Sequence, residues 1–395
     1  MLQPVRHVLA CTVTSLVCTA AAAQNTGKAL QQLPLPELQM LAATYGVVKE
    51  SFVTPIAGES MILASIRGML REIDPEGGEF FTEEETKAFI DGTGAGTASI
   101  GSEVTLRANQ FVVVSPIAGG PAEAAGLRPG DVLQAIDGKP LKGLSLHQAV
   151  NLLRGAPGSK VAPSIQRDCS PAPARLEIER RVMTLQGVSI ARPRPELAVL
   201  RIPAFRDRTL EEVAASLTKE WRERPFKGLV LDMRRNPGGL VESAVGLAAI
   251  FLPPQTVVAK SSGNTAAANH VFRADVADYS RLVARDPLAD IPKPVRSVPL
   301  VVLVDEGTAS GSEIVVAALK DHRRATIVGR KTFGRGSIQT ITRIGGGAVK
   351  YTSAYWESPS GARIHGAGVL PDEVLEPLDP QQELDAAVAS LGKRL

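Results

Sequence analysis

A serine and an arginine are the side chains whose type and setting in this sequence could do chemistry. Ser310 follows the apolar run VVLVDEGTA and precedes GSEIVVAALKD, so it lies where a predicted strand turns into a predicted helix. Free backbone N–H groups at a helix start can stabilise the oxyanion that forms when a serine attacks a carbonyl. Gly311 adds no side chain that would crowd such a donor. The run from Ser310 to Glu313 is equally typical of a capping box, which needs no chemistry.

Arg335 lies between two glycines in the stretch KTFGRGSIQ, residues 331–339. A serine hydroxyl is a weak nucleophile until a neighbouring base takes its proton. Buried lysines can do this, because desolvation lowers their reference pKa of about 10.4 by roughly 3–5 units. An arginine side chain starts at about 12.5–13.8 and keeps its proton. The sequence therefore predicts that Arg335 is a poor base but a good hydrogen-bond donor and anion clamp.

The elements that must position these residues alternate between strand and helix over residues 190–375. Apolar runs predict strands, and amphipathic runs between them predict helices. Such alternation predicts an α/β layer fold with functional groups at the strand ends. The predicted strands are AVLRIPAF, GLVLDMR, PLVVLVDE, ATIVG and AVKYTSAYWESPSG, and the predicted helices are TLEEVAASLTKEWRER, LVESAVGLAAIFL and SEIVVAALKDH.

Residues 95–185 resemble a PDZ domain, through GLRPGD at 126–131 followed by IDG at 136–138. The resemblance implies a groove in which an extended C-terminal tail adds to a sheet edge. The loop Ser99-Ile100-Gly101 would hold the terminal carboxylate through backbone N–H groups. His147, on an amphipathic helix from Leu146 to Leu153, would select a peptide hydroxyl, or it is a plain surface residue. A groove with only a structural role is the other alternative.

Several further stretches resemble the carboxyl-terminal processing peptidases, also called tail-specific proteases. They are GTASGSEI, KTFGRGSIQ, LDMRRNPGGLVESAVGLAAIFLPP, DPEGGEFFTEEE and YWESPSGARIHGAGVLPDEV. The resemblance implies a crotonase-like α/β protease core, a preceding or inserted β-rich PDZ domain and a helical N-terminal segment. The predicted divisions are a signal peptide at 1–23, a helical segment at 24–94, the PDZ domain at 95–185, the protease core at 186–376 and a C-terminal helix at 377–395.

The resemblance also implies roles for individual residues. Ser310 falls on the nucleophile and Gly311 on one oxyanion donor, and the loop with Gly238 or Gly239 would supply the other donor. Gln339 falls on the residue that orients the base. The base itself, a lysine in this family, falls on Arg335. The implied reaction is hydrolysis of proteins near their C-terminus through an acyl-enzyme.

The arginine leaves three alternatives open. The enzyme works poorly or with a replacement base, for which Lys331 is the nearest candidate, about 13 Å from Arg335 if both lie in one strand. The chain is instead a pseudoprotease or adaptor that binds C-terminal tails. The third alternative is that Arg335 is a structural surface residue and the active site lies elsewhere. The sequence contains no G-x-S-x-G, H-E-x-x-H, P-loop or C-x-x-C pattern that would mark such a site. A small-molecule hydratase on the related core is disfavoured, because PDZ domains select peptides.

The N-terminus predicts export. Arg6 precedes an apolar stretch that ends in three alanines before Gln24, which is typical of a cleaved signal peptide and a periplasmic protein. Lipid attachment at Cys11 is the less favoured alternative. Cleavage would leave Cys169 as the only cysteine, which excludes an internal disulfide and a zinc site built on cysteines.

Composition and charge limit the partners. The 395-residue chain has a net charge of +3, which gives no bias towards nucleic acid or a membrane surface. We expect no metal and no cofactor. The expected partners are C-terminal tails of exported proteins, an adaptor protein and further copies of this chain.

Overall fold

The computed structural model of the chain describes residues 33–92, 98–167, 170, 172–183, 186–280 and 286–395. The predicted signal peptide and Cys169 lie outside these residues. The chain divides into two compact units, one ending at Gly68 and the other running from Met69 to Leu395. The predicted domain boundaries stay predictions.

The described part of the first unit, from residue 33 onwards, is mostly helical. α1 spans Leu35–Ser51 and has Pro36 in its first turn, where a missing N–H costs nothing. α2, Gly58–Ile73, begins in this unit and continues into the second. None of the side chains of α1 is buried. No helix in the described part of the chain is long and apolar enough to cross a bilayer.

The segment from 98 to 182 forms a small β-rich body around its own apolar core. Its main sheet has the order β3-β4-β5-β8-β9, with β6 paired to β5, so β3 is an edge strand. A helix, α5, packs beside this edge and leaves a groove between them. The elements are β2 Ala98–Ser99, β3 Ser102–Arg107, β4 Gln110–Pro116, α4 Pro121–Ala124, β5 Val132–Ile136, β6 Lys139–Pro140, α5 Leu146–Leu153, β7 Lys160–Val161, β8 Pro163–Gln166, β9 Ala174–Arg175, β10 Ile178–Glu179 and β11 Arg181–Val182.

The remaining chain is built on a largely parallel sheet of order β12-β13-β14-β17-β18-β21, in which only β12 is antiparallel to its neighbour. Its central strands are buried on both faces, as their continuous apolar sequences predict. The elements are β12 Ser189–Arg194, β13 Leu197–Arg201, α6 Thr209–Glu223, β14 Gly228–Asp232, α7 Val241–Phe251, β17 Leu300–Val304, α9 Gly311–Asp321, β18 Thr326–Gly329, β21 Glu373–Val374 and α10 Pro380–Gly392.

A second, antiparallel sheet accompanies the parallel one. β20 is its centre and pairs with β1, β15 and β19, and β16 extends it from β15. The strands are β1 Glu79–Phe81, β15 Val257–Gly263, β16 His270–Arg273, β19 Ser337–Ile344 and β20 Gly347–Glu357. Two short helices follow strands of this sheet along the chain: α3, Glu83–Gly92, follows β1, and α8, Val276–Tyr279, follows β16.

Because β19 begins at Ser337, residues 331–336 are an irregular loop. The assumption that Lys331 and Arg335 share one face of a strand is therefore wrong. The loop carries Arg335 between β18 of one sheet and β19 of the other. The chain must turn out of the parallel sheet here, and its two glycines make that turn sterically accessible.

Candidate active site

Ser310 lies in a strained turn between β17 and α9. Its backbone has φ 54° and ψ −119°, a combination that non-glycine residues rarely adopt. Such strain persists only where surrounding contacts hold it, and it concentrates at functional sites. Ahead of the serine, the buried Asp305 carboxylate accepts N–H groups from Arg235 at 2.8 Å and Gly307 at 3.0 Å. Burial raises the pKa of Asp305.

Asn236 fixes this turn to the neighbouring strand ends. Its side-chain amide donates to the Ile202 carbonyl at 2.8 Å, and its backbone carbonyl accepts from Ala309 N at 2.9 Å and Ser312 Oγ at 3.0 Å. The side chain is completely buried. The loops that follow β13, β14 and β17 therefore meet at one asparagine, which the sequence reading did not single out.

The glycine loop after Asn236 lies directly against the serine. A Cβ on Gly238 would be 2.7 Å from both Gly311 N and Ser310 Cβ, and a Cβ on Gly239 would overlap the Phe205 carbonyl. Both glycines have φ values, 97° and 134°, that other residues avoid. Only glycine fits at these two positions.

The candidate oxyanion donors differ in their availability. Gly238 N–H already donates to Asn236 Oδ1 at 2.9 Å. No acceptor for Gly239 N–H is found among the residues that the structure describes. Gly311 is the first residue of α9, where a backbone N–H has no acceptor inside the helix. The geometry thus favours Gly239 over Gly238 as the partner of Gly311.

Glu313 joins the serine turn to the loop that carries Arg335. Its carboxylate is fully buried and accepts Ser310 N–H at 2.9 Å, as a capping box requires. The same Oε2 atom accepts Arg335 N–H at 2.8 Å, while Oε1 accepts Gly334 N–H at 2.6 Å and Thr332 Oγ1 at 2.5 Å. Burial raises the pKa of Glu313, and these hydrogen bonds oppose that rise. The backbones of Ser310 and Arg335 are therefore close neighbours.

The side chain of Arg335 is engaged by the β-rich body. Its Nη1 donates to Glu103 Oε1 on β3 at 2.9 Å, and the two side chains are 27% and 47% exposed. A second residue of β3, Arg107, donates to the carbonyls of Phe333 and Gly334 at 3.2 Å and lies over the Phe333 ring. Strand β3 thus holds the loop from one side and Glu313 holds it from the other.

Gln339 lines the same small cavity as Arg335, and Ser310 is not among the lining residues. Its Nε2 donates to Thr352 Oγ1 at 2.9 Å, whereas its buried Oε1 has no partner within the described chain. Thr352 is held in turn by the Asp74 carboxylate, which accepts its N–H at 2.6 Å. Gly77 packs against the glutamine amide. The DPEGG stretch therefore supports the glutamine.

Two lysines differ as candidate bases. The side chain of Lys331 is exposed. Lys350, on β20, lines the cavity with Arg335 and Gln339 and is 16% exposed, with its amine 3.9 Å from Glu79 Oε2. Burial lowers the pKa of Lys350. Lys350 could not be predicted from the sequence, because nothing in the run AVKYTSAYW distinguishes a lysine that points into a cavity from one that points into solvent.

The groove of the β-rich body brings together the residues predicted to bind peptide. Ser99, Ile100 and His147 line it, and Gly101 follows in the same loop with φ 71°. His147 also packs edge-on against the Phe81 ring, and its Nε2 lies 2.8 Å from Asn151 Nδ2. Burial lowers the pKa of His147. No group of three or more potential metal ligands occurs in the described part of the chain.

The sequence of this chain is similar to those of known proteins. The sequence profile of peptidase family S41 matches residues 196–375, and a PDZ domain profile matches residues 112–167. A carboxy-terminal-processing protease of Bartonella bacilliformis is 35% identical over 339 residues, which cover 85% of this chain and 74% of that protein. A probable CtpA-like serine protease of Staphylococcus aureus is 31% identical over 86% of this chain and 65% of its own length.

A solved structure agrees with these relatives. The photosystem II D1 C-terminal processing protease superposes with a TM-score of 0.73 at 29% identity, over 89% of this chain and 90% of its own. The fold and matched segments define a family S41 peptidase core that carries a PDZ domain. This chain belongs to the carboxy-terminal-processing protease family, which confirms the resemblance seen in the sequence.

Replacing Glu313 tests whether its carboxylate holds the site together. In Glu313→Gln, an NH₂ group would face backbone N–H donors, so we expect the free energy of unfolding to fall by about 2–3 kcal/mol. Chemical denaturation followed by circular dichroism measures the change. Glu306→Gln is the control, because that carboxylate is 51% exposed and pairs with Arg330. A change at Glu313 no larger than the control's would contradict this role.

Proposed function

We propose that this chain is an exported serine endopeptidase that cleaves proteins near their C-terminus, with Ser310 as the nucleophile on a crotonase-like core. The observation that carries the proposal is the strained serine at the start of α9, with a glycine loop packed against it. Ser310 Oγ would attack the peptide carbonyl carbon and lose its proton to a base. The N–H groups of Gly311 and Gly239 would receive the oxyanion. The C–N bond then breaks as the base gives its proton to the leaving nitrogen, and water hydrolyses the acyl-enzyme to release the new C-terminus and restore Ser310.

The proton acceptor is the part of the site in which this chain departs from the family's lysine. The family's base falls at Arg335, whose guanidinium resists deprotonation. The unpaired Gln339 Oε1 is available to orient an amine in the cavity it shares with residue 335. We therefore propose that the wild type cleaves slowly or not at all. Lys350 replaces Lys331 as the second candidate base, because it lines that cavity and its side chain is only 16% exposed.

A tail-binding adaptor without catalysis is the competing proposal. The ion pair between Arg335 and Glu103 favours it, since a charged arginine held by the PDZ domain has a role that needs no proton transfer. Binding alone would then be the function, and the serine turn would remain as a structural cap. Activity measurements on variants of residue 335 separate the two proposals.

Arg335→Lys should raise the rate of cleavage of an unfolded or tail-tagged substrate. A desolvated lysine can reach a pKa near neutrality, and general-base help adds about 10²–10⁴-fold. The gain should vanish when Ser310→Ala is added, and Gln339→Ala should reduce it. Labelling of Ser310 by an activated fluorophosphonate gives an independent readout of its nucleophilicity.

Two outcomes would count against this account. A fast wild type that Arg335→Lys slows would show that arginine belongs to a working site. In that case Lys350→Met tests the second candidate base and should abolish cleavage. If neither form is active and crystallography shows the new lysine beside Ser310, the adaptor proposal stands alone.

Tail binding has its own test. We propose that the PDZ groove holds a free C-terminal carboxylate at the Ser99–Gly101 loop, because backbone N–H groups bind a carboxylate better than an amide. Peptides with an apolar last residue should bind the full-length Ser310→Ala protein, and amidated versions should bind at least about tenfold more weakly. Fluorescence anisotropy measures both. Equal binding of the two forms would remove the groove from the mechanism.

Export is tested on the mature protein. The alanine triplet before Gln24 predicts signal-peptide cleavage, so the purified protein should begin at Gln24 or within a residue or two of it. It should also appear in the periplasmic fraction. Mass spectrometry of the intact chain checks the first point, and an uncleaved Met1 would contradict it.

A further inference from the structure

The groove beside β3 has walls from two parts of the chain. It is a cavity of about 400 Å³ between the edge strand β3 and helix α5 of the PDZ domain. Three further side chains line it from outside that domain: Glu79 on β1, Arg335 in the loop before β19, and Lys350 on β20. A tail bound in this groove therefore meets charged groups of the peptidase as well as the PDZ domain.

The guanidinium of Arg335 has N–H donors at this wall that are not used in hydrogen bonds within the described chain. A guanidinium carries five N–H donors, and Arg335 uses only Nη1, which it gives to Glu103. No acceptor for its Nε and Nη2 is found among the described residues. Because its pair with Glu103 is partly exposed, a second carboxylate can bind or replace Glu103 at little cost.

The surrounding charges favour an additional anion. Lys350 lies in the same wall, and its only carboxylate neighbour within ion-pair distance in the described chain is Glu79, at the long separation of 3.9 Å. Burial disfavours its charged form and so lowers its pKa, and a nearby carboxylate would relieve this effect. Arg107 borders the adjoining cavity and adds further positive charge.

The register of a bound tail identifies the side chains that reach this wall. With the terminal carboxylate at Ile100 and Gly101, an antiparallel tail places its last residue opposite Ser102 and its penultimate residue opposite Glu103. Directly opposed residues of paired strands point to the same face of a sheet. The penultimate side chain thus shares the face on which Glu103 meets Arg335, and the side chain two positions further back shares it too, opposite Thr105.

We propose that Arg335 and Lys350 make this groove selective for tails with Asp or Glu one or three residues before the terminal residue. The selectivity rests on the proposed capture of C-terminal tails in the PDZ groove. It gives the arginine at the base position a task that its chemistry suits, since an arginine that cannot release its proton remains a permanent carboxylate ligand. Alternate positions of the tail face α5 instead and gain nothing from an acidic side chain.

A peptide scan tests the proposal in full-length protein with Ser310→Ala, which prevents cleavage. The parent is a fluorescent, neutral, free-acid peptide with an apolar last residue, and single glutamates replace its residues one, two or three before the end. We expect the first and third replacements to lower Kd by about three- to tenfold. The second should leave Kd unchanged or raise it. The gain should shrink as salt is raised from low concentration towards 1 M.

Protein variants assign the gain to its source. Arg335→Gln should abolish it, and Glu103→Gln should enlarge it by removing the competing carboxylate. Arg154→Gln is the matched control: Arg154 lines the same groove but belongs to the PDZ domain, at the end of α5, and its loss should preserve the gain.

The outcomes separate this inference from the proposed function. Tight binding of the parent peptide with no gain from glutamate at either position overturns the selectivity and leaves tail capture intact. An equal gain at all three positions, or a gain that survives Arg335→Gln, also overturns it. Failure of every free-acid peptide to bind would overturn tail capture and the selectivity together.

Discussion

The carboxylate of Glu313 is the constraint on which the rest of the site depends. It is fully buried, yet hydrogen-bonded by three backbone N–H groups and one hydroxyl from two segments that are distant in sequence. A buried carboxylate without such donors would cost several kcal/mol, so burial and hydrogen bonding require each other here. If the serine turn and the loop before β19 moved apart, the Glu313 carboxylate would therefore become exposed or would lose its hydrogen-bond donors.

The two sheets divide the work of positioning. The parallel sheet delivers Ser310, Asn236 and the glycine loop to one edge, because its parallel strands β13, β14 and β17 all end there. The antiparallel sheet delivers Gln339 and Lys350, which lie on neighbouring strands. Strand β3 of the PDZ domain contacts the loop before β19 through Glu103 and Arg107. The site is thus shared by three bodies of structure, and the fully buried Glu313 links the serine turn of one to the loop that leads into another.

Much of this could be predicted from the sequence. The helix at Leu146–Leu153 has the predicted bounds, and the predicted strands and helices of the parallel sheet are present within a few residues, because buried parallel strands and amphipathic helices leave strong local patterns. The antiparallel strands β15 and β16 and the partners of Arg335 and Gln339 were not foreseen. Their pairing depends on contacts between segments far apart in sequence, and no local periodicity records those.

The two glycines on either side of Arg335 occupy the positions of this loop where a larger residue would be strained or would clash. Gly334 has φ 87°, and a Cβ on Gly336 would be 2.5 Å from the backbone nitrogen of His365. The backbone of residue 335 is held by Glu313 through its N–H, which every amino acid except proline possesses. The fold therefore places little restriction on the side chain at 335. Since some arginine and lysine codons differ by a single base, evolution can exchange a proton acceptor for a fixed cation here without rebuilding the scaffold.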